Sequence, residues 1–280
     1  MNINEDFNND LTANILFKSV SYNRNAGTFV FNFSNDNDDE IIKLEKKVHR
    51  SEIFNNCYYF AYEFESDVDS YIRSLFIKSI KFPDGTISED DKCTFIGNAV
   101  RSLDSEINLI KYDTLIYPQS MSELTREMIK YLSKFAGPKF VSFELIKELP
   151  AKIEFDYDKF AAGELNSTLR NGMPRYTNAQ KDDVLKKIRE MMDNVHSSDY
   201  FSIARSIKKT KYRPYIKNYY NFKDKKDKEL FEQINNSNVL VVDDMATSGT
   251  TIFHLLKTIR SINDSNNITV FSLLGKNLKI

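Results

Sequence analysis

The stretch from residue 238 to residue 251, N-V-L-V-V-D-D-M-A-T-S-G-T-T, constrains the fold more than any other part of the chain. Its four consecutive aliphatic residues, Val239 to Val242, predict a strand that is buried on both faces. Two acids, Asp243 and Asp244, follow at the point where such a strand leaves its sheet. A short loop then leads into an amphipathic helix that begins near Ile252. This order predicts a strand, a turn and a helix of an open α/β sheet.

The loop between this strand and this helix has the chemistry of a phosphate site. The first backbone N–H groups of a helix lack partners and lie at the positive end of its dipole, so they favour an anion. Gly249 lets the backbone approach a ligand closely and adopts a positive φ without a steric penalty. Hydroxyl donors come from four neighbouring residues, Thr247, Ser248, Thr250 and Thr251. We therefore expect a phosphate group at this end of the loop.

The two acids suit the sugar of the same ligand. Asp243 and Asp244 can accept hydrogen bonds from vicinal ribose hydroxyls, or hold a magnesium ion that is bound to them. Open α/β sheets bind ligands at the carboxyl ends of their strands, which is where this pair lies. The alternative is an ordinary turn with a capping Thr or Ser, which leaves two adjacent carboxylates buried at an energetic cost. The stretch therefore favours a site for a phosphorylated sugar.

This stretch resembles the phosphoribosyl-pyrophosphate binding motif of type I phosphoribosyltransferases: a hydrophobic strand, two acids, two variable residues and a T-T-G-T-T-like loop. The resemblance implies a parallel sheet flanked by helices. It also implies that Asp243 and Asp244 contact the ribose hydroxyls, directly or through magnesium, while Ala246 and the residues from Thr247 to Thr251 hold the 5′-phosphate. The activity implied is that of a pentosyltransferase, which moves the phosphoribosyl group to a nitrogen acceptor and releases pyrophosphate.

Composition excludes several other classes of protein. The 280 residues are 41% hydrophobic, enough for a real core, and the mean hydropathy of −0.47 without a long apolar run argues against a membrane span. A net charge of −1 gives the whole chain no nucleic-acid signature. Cys57 and Cys93 have no metal-ligand spacing. The acidic, Asn-rich N-terminus is unlike a signal peptide, so we expect a cytoplasmic protein.

Residues 1–93 predict a mixed, strand-rich region that is a hood or an accessory to the core. Two alternating runs between Ile15 and Phe33 flank the loop N-R-N-A-G and predict a hairpin. A third strand is expected from about Cys57 to Phe64, and the apolar residues from Ser70 to Ile80 fit a short helix or a strand. In the resembled family a variable hood covers the sugar-phosphate site and selects the acceptor.

Residues 94–280 predict the phosphoribosyltransferase-like core. Helical spacing from Thr94 to Ile107 precedes a short strand, D-T-L-I-Y, and then a helix that Ser122 or Thr125 could cap. The run K-F-V-S-F-E-L-I after this helix completes a βαβ unit and implies a parallel sheet. In the resembled family the loop after the first core strand binds pyrophosphate, which makes Ser120 a candidate. Ser120 and Ser122 fit simple turn and cap roles equally.

A long insertion, at about 150–235, separates this unit from the acid-pair strand. It contains a predicted helix from about Asn178 to Val195 and then a basic run that includes Arg205, Lys208 and Lys209. This run fits a solvated basic face, or a strip that binds single-stranded nucleic acid by stacking bases on Tyr212, Tyr215, Tyr219 and Tyr220. It also fits a mobile loop that closes over pyrophosphate, and its position in the chain favours this third interpretation over the second.

Thr247 bears on the acceptor. In hypoxanthine-guanine members of the resembled family an acid stands three residues beyond the second acid of the pair and acts as general base, and Thr247 holds that place here. A 6-oxopurine acceptor is therefore disfavoured, and the nitrogen acceptor is otherwise left open. A second class of function also remains: a regulator on the same fold that senses phosphoribosyl pyrophosphate or binds nucleic acid without chemistry. Assembly into a homo-oligomer is left open too.

Overall fold

The structure is a computed structural model that describes residues 19–23, 25–32, 41–43, 49–53, 56–64, 69–82, 84–120, 122–136, 140–169, 172–246 and 248–275. Its strands are β1 (Ser19–Asn23), β2 (Thr28–Asn32), β3 (Ile41–Lys43), β4 (His49–Ile53), β5 (Asn56–Tyr62), β6 (Thr114–Pro118), β7 (Val141–Lys147), β8 (Glu154–Phe155), β9 (Ile216–Lys217), β10 (Tyr220–Phe222), β11 (Asn238–Met245) and β12 (Asn267–Leu274). Its helices are α1 (Ser70–Lys81), α2 (Glu89–Ile107), α3 (Glu123–Phe135), α4 (Tyr157–Phe160), α5 (Asn178–His196), α6 (Ile203–Ser206), α7 (Lys225–Glu232) and α8 (Thr250–Ile262). Within these ranges, no helix combines the length and apolar character that a membrane span needs.

A seven-stranded sheet in the order β10-β7-β6-β11-β12-β5-β4 forms the centre of the fold. Its five inner strands run parallel, whereas β10 and β4 pair antiparallel at the two edges. Parallel neighbours need a crossover, and α3 and α8 supply two of them, between β6 and β7 and between β11 and β12. The protein is therefore a mixed α/β fold with a mostly parallel sheet, as the sequence predicts.

The N-terminal region contributes two strands to this sheet. β5 pairs in parallel with β12, from Thr269 opposite Cys57 to Leu274 opposite Tyr62, and β4 pairs with β5. The predicted strand near Cys57 is thus confirmed, and the ambiguous run that follows is helix α1. The sheet crosses the boundary predicted at residue 93, since β4 and β5 precede it. That residues 1–93 act as a hood stays a prediction.

The predicted hairpin is also present in the described residues. β1 pairs antiparallel with β2, and Gly27 in the connecting turn has a φ of 67°. Phe29 and Phe31 of β2 pack on helices α1 and α2, with 5.3 Å between the ring centroids of Phe29 and Phe76 and 5.8 Å between those of Phe31 and Phe95. This small sheet therefore adds an outer layer to one side of the fold.

Two buried clusters, one on each face of the central sheet, explain why β11 lies at its centre. Helices α1, α2 and α3 cover one face, called here the α1–α3 face, while α5, α8 and residues 201–231 cover the other, the α8 face. Val239 and Val241 of β11 pack on the α8 face, whereas Leu240 and Val242 pack on the α1–α3 face. The four aliphatic residues of the motif are thus buried on both faces, as expected of a central parallel strand.

A substitution in β11 tests this placement. Leu240 is fully buried and Leu230 of α7 is 46% exposed. We expect Leu240→Ala to lower the free energy of unfolding by about 3 kcal/mol, because it removes buried methyl groups and leaves a cavity. Leu230→Ala, the matched control, should lower it by less than about 1 kcal/mol. Urea denaturation measures both, and equal effects would contradict a central position for β11.

Candidate functional site

The two acids of the motif lie at the carboxyl end of β11 and have different surroundings. Asp243 pairs in register with Ser272 of β12, whose hydroxyl lies 2.7 Å from the hydroxyl of Tyr58. Asp244 points to the α1–α3 face, where it contacts Lys81 and Thr125. Successive side chains of a strand alternate between its faces, so the pair straddles the sheet. The motif therefore presents two carboxylates in two separate environments.

Asp243 is buried with an unsatisfied oxygen. The residue is 6% exposed, and its Oδ2 atom has no hydrogen-bond partner in the described structure. The backbone N–H groups of Asp244 and Met245 donate to the carboxylate and orient it. Burial, followed by the charge of Asp244, raises the pKa of Asp243 from 3.8 to about 8. A buried carboxylate oxygen without a partner is costly, and a ligand hydroxyl or cation would remove that cost.

Asp244, in contrast, is fully engaged within the chain. Its Oδ1 lies 2.8 Å from Nζ of Lys81, and its Oδ2 accepts a hydrogen bond of 3.2 Å from the Thr125 hydroxyl. Sequence reasoning treats the two acids as equivalent and misses Lys81, which precedes its partner by more than 160 residues. It also offers Thr125 as a helix cap, whereas Thr125 lies inside α3 and holds Asp244. Only Asp243 retains an oxygen for a ligand.

The predicted phosphate loop leads into α8 as expected. Gly249 adopts the left-handed conformation, with a φ of 68° and ψ of 0°, at the N-cap of α8. No described side chain caps this terminus, so its first N–H groups face the loop without a side-chain acceptor. The hydroxyls of Ser248 and Thr250 lie 2.9 Å apart, and Ala246 is buried. Thr247, with the acceptor argument that depends on it, lies outside the described residues.

A second long helix begins after the neighbouring strand, on the opposite face of the sheet. Strand β6 neighbours β11 in the sheet, and the loop after β6 leads into α3 just as the loop after β11 leads into α8. Ser122 is the N-cap residue of α3, yet its hydroxyl caps nothing; it is 3% exposed and has no hydrogen-bond partner in the described structure. Ser122 thus occupies the expected cap position, but without the side-chain hydrogen bond of a capping residue. Its backbone N–H instead donates to the Ser120 hydroxyl at 3.0 Å.

These two uncapped termini differ from the other long helices of the described structure. Side chains cap the other four helices of eight or more residues, through Asp69, Ser88, Thr177 and Asp224. The exceptions are α3 and α8. They follow the adjacent parallel strands β6 and β11 at the carboxyl ends of the sheet, where Asp243 also lies. Free N–H groups at a helix start favour anions. The arrangement can therefore accept an anionic group at each of two helix termini and a hydroxyl donor at Asp243.

The described side chains could hold magnesium only together with oxygens of a bound ligand. Within the described ranges, no group of three or more His, Cys, Asp or Glu side chains is placed to hold a metal ion. Magnesium is commonly held by one or two carboxylates together with phosphate oxygens and water, so the free oxygen of Asp243 suits it. Each oxygen of Asp244 already has one partner within the chain, and a role of Asp244 in binding magnesium stays a prediction. Any magnesium ion would therefore depend on ligand oxygens.

The basic run reaches the carboxyl ends of the parallel strands, where the two acids also lie. β10 pairs antiparallel with β7, with Tyr220 opposite Lys147 at the carboxyl end of β7. The preceding segment is tied to α8, since a ring nitrogen of His254 lies 3.1 Å from the carbonyl oxygen of Arg213. Burial lowers the pKa of His254 to about 3, so this imidazole is neutral at ordinary pH.

The candidate cations Arg205, Lys208 and Lys209 are exposed on this segment. Their role over a bound pyrophosphate stays a prediction. The interpretation of the run as a base-stacking strip is wrong in its aromatic part: Tyr212, Tyr219 and Tyr220 are buried in the core of the α8 face. Only Tyr215 of the four is partly buried, and it packs against the same core. Buried rings cannot stack on nucleic-acid bases.

The pKa of Asp243 predicts how stability depends on pH. In the folded protein Asp243 keeps its proton up to about pH 8, whereas an unfolded chain releases it near the ordinary value of 3.8. Folding therefore takes up a proton between these values, and stability falls as the pH rises through this window. At pH 8 we expect Asp243→Asn to raise the free energy of unfolding by on the order of 2 kcal/mol.

Urea denaturation at pH 5.5 and pH 8 checks this expectation. The gain of Asp243→Asn over the native protein should be smaller at the lower pH, because ionisation of Asp243 stabilises the unfolded native chain less as the pH approaches 3.8. Asp182→Asn, an exposed change on α5, should leave the pH dependence unchanged. An equal pH dependence in the native protein and Asp243→Asn would show that Asp243 is not the group responsible.

Lys81→Met tests the buried ion pair. It leaves the Asp244 carboxylate, 7% exposed, without its cation, and we expect a loss of about 2–3 kcal/mol in the free energy of unfolding. Adding Asp244→Asn should recover part of this loss, as a double-mutant cycle would measure. The control is Lys187→Met, which removes an exposed i,i+4 pair with Asp183 and should cost less than about 0.5 kcal/mol. A matching loss in both lysine variants would contradict a buried pair.

Comparison with known proteins yields a distant structural likeness. No protein-family model matches the sequence, and no curated protein resembles it in sequence. Among solved structures, the chain is similar to a hypoxanthine phosphoribosyltransferase from Staphylococcus aureus, at 11% identity and a TM-score of 0.33, over 67% of this chain and 68% of that one. A likeness at this level carries no argument about activity. The functional case rests on the motif and on the geometry of the site.

Proposed function

We propose that the protein binds phosphoribosyl pyrophosphate with magnesium and transfers the phosphoribosyl group to a nitrogen acceptor. The observation that carries this proposal is the buried, unsatisfied Oδ2 atom of Asp243 at the same sheet edge as two uncapped helix termini. Phosphoribosyl pyrophosphate has two anionic ends and a ribose diol between them. Two anionic groups and a diol correspond in number and charge to two uncapped helix termini and one free carboxylate oxygen. The sequence motif that ends at Thr251 supports the same ligand.

Each part of the site has one task in this proposal. The N-terminus of α8, with Gly249 and the hydroxyls of Ser248 and Thr250, holds the 5′-phosphate. The loop after β6, with Ser120 and the N-terminus of α3, holds pyrophosphate. Asp243 accepts a hydrogen bond from a ribose hydroxyl or binds magnesium through its free oxygen. The ion pair between Lys81 and Asp244 keeps the end of β11 in position.

The reaction is a displacement at the anomeric carbon. The bond from this carbon to the pyrophosphate oxygen breaks and pyrophosphate leaves with the electron pair. A bond from the acceptor nitrogen to the carbon forms, and the nitrogen releases its proton to solvent. Magnesium, when bound, would neutralise charge on the leaving group. The chain contributes positioning and electrostatic stabilisation, and the cations Arg205, Lys208 and Lys209 would shield the departing pyrophosphate if their segment closes.

Binding measurements on Asp243 test the proposal. At pH 9, where Asp243 is ionised, we expect Asp243→Asn to weaken binding of phosphoribosyl pyrophosphate, measured by calorimetry with magnesium, by roughly 10–100-fold, because a hydrogen bond to a charged group is lost. The same variant should be more stable than the native protein at pH 8. Loss of affinity together with a gain of stability separates a ligand contact from a structural defect. Asp182→Asn is the matched control and should bind normally.

Two further measurements complete this test. Ser122→Ala removes a buried hydroxyl that lacks a partner, so it should weaken binding about tenfold without loss of stability. Pyrophosphate release with a panel of nitrogen bases then separates an enzyme from a regulator. Tight binding without release for any base would favour the regulator. Unchanged affinity in both Asp243→Asn and Ser122→Ala would remove the site assignment altogether.

A further inference from the structure

A pocket of about 180 Å³ lies next to the acid pair, and its lining includes Ala246 at the start of the predicted phosphate loop. Its lining comes from the ends of three parallel strands and from helix α1. Met245 closes β11 directly after Asp244, Leu274 closes β12, and Phe64 follows β5. Ile77 of α1 forms the opposite wall. The pocket therefore opens at the carboxyl edge of the sheet, where the proposed sugar site also lies.

Helix α1 joins the pocket to the acid pair. Arg73 and Ile77 line the pocket, and Lys81 binds Asp244 at 2.8 Å. These three residues are spaced four apart, so they lie along one face of the helix. The contact between Lys81 and Asp244 thus fixes this face of α1 against the end of β11. The pocket and Asp244 therefore lie on the same face of the sheet, at the end of β11 that also carries Asp243.

The chemistry of the lining is mostly apolar, with two charged side chains of opposite sign. Phe64 and Ile77 provide flat and branched apolar surfaces, while Glu63 and Arg73 provide the charges. The guanidinium carbon of Arg73 lies 5.4 Å from the centroid of the Phe64 ring, and Phe64 packs edge-on against Phe76 at 5.9 Å. Arg73 and Phe64 are therefore fixed relative to each other. Such a pocket suits a flat ring with a polar edge.

The backbone after β12 packs closely on β5 beside this pocket. Gly275 donates its N–H to the carbonyl oxygen of Tyr62 at 2.9 Å and lines the pocket. A Cβ atom at Gly275 would lie 2.6 Å from Cβ of Phe60 and would collide with the Tyr58 hydroxyl. A side chain cannot be added there without moving β5. The close approach of the chain after β12 to β5 thus shapes the pocket.

We propose that this pocket binds the nitrogen acceptor, and that the acceptor is a neutral, single-ring heterocycle with a hydrogen-bond donor next to an acceptor on its edge. The inference rests on the proposed phosphoribosyl transfer, which needs an acceptor site within reach of the sugar. Glu63 accepts from the donor of the ring and Arg73 donates to its acceptor. A ring that carries a carboxylate would bring a second negative charge beside Glu63.

The size of the pocket gives the second constraint. Pockets for drug-sized molecules are roughly 300–1,000 Å³, and this one is about 180 Å³. One ring fits this volume better than two fused rings do. Lactam and amidine edges both present a donor next to an acceptor, so uracil and cytosine are suitable probes of the shared chemistry. Orotate tests the excluded charge, and hypoxanthine tests the excluded size.

Calorimetric titration of these four compounds into the full chain tests the inference. Magnesium and pyrophosphate are present, so that no transfer takes place. We expect uracil or cytosine to bind at least tenfold more tightly than orotate and hypoxanthine. Ile77→Phe fills the pocket and Arg73→Met removes the donor while keeping a long side chain. Each should weaken binding of the preferred ring at least tenfold and change the affinity for phosphoribosyl pyrophosphate less than twofold. Arg189→Met is the matched control, because Arg189 is exposed on α5, which packs on the face of the sheet opposite the pocket.

The outcomes separate this inference from the proposed function. If the native protein binds phosphoribosyl pyrophosphate but neither uracil nor cytosine, the acceptor class is wrong and the sugar site stands. If Ile77→Phe and Arg73→Met both fold and bind the preferred ring normally, the pocket is not its site. If the native protein does not bind phosphoribosyl pyrophosphate, the proposed function fails, and the inference fails with it.

Discussion

The burial of two adjacent carboxylates at the end of β11 is the constraint on which the rest of the site depends. Charges in a low-dielectric interior repel strongly and lose their hydration, so each carboxylate needs compensation. The chain compensates Asp244 with Lys81 and Thr125, whereas Asp243 receives only backbone donors and keeps a free oxygen. This asymmetry divides the pair into a structural acid and an acid that is available to a ligand.

The compensation of Asp244 explains why the N-terminal region belongs to the site. Lys81 reaches Asp244 from the end of α1, and α1 is held by β5 and by the small sheet through Phe76. β5 itself extends the central sheet beyond β12. The residues before 93 therefore supply two strands of the central sheet, a counter-ion and one wall of a pocket. Stability and ligand binding oppose each other at Asp243, since the free oxygen that destabilises the empty site is the one that a ligand would use.

Some elements follow from local patterns and others do not. The strand β11, the turn at Gly249 and helix α8 follow from aliphatic residues, a glycine and helical spacing, which are local signals. The tyrosines of the basic run are misleading in the sequence. Their alternation with lysine is typical of a strip that binds nucleic acid, but tertiary packing buries three of the four rings. Ser122 and Thr125 mislead for a related reason. Their hydroxyls fit local capping, but Thr125 bonds a carboxylate from another strand and the Ser122 hydroxyl bonds nothing within the described residues.

The α/β class, the motif strand with its acid pair and the loop that leads into α8 follow from the amino-acid sequence alone. They depend on the order and spacing of neighbouring residues, which the sequence contains directly. The difference between Asp243 and Asp244, the two uncapped helix termini after adjacent strands, and the pocket that α1 completes are visible only in the folded chain. Each of these depends on which strands become neighbours in the sheet, and that order is set by long-range packing of the two buried faces rather than by any local pattern.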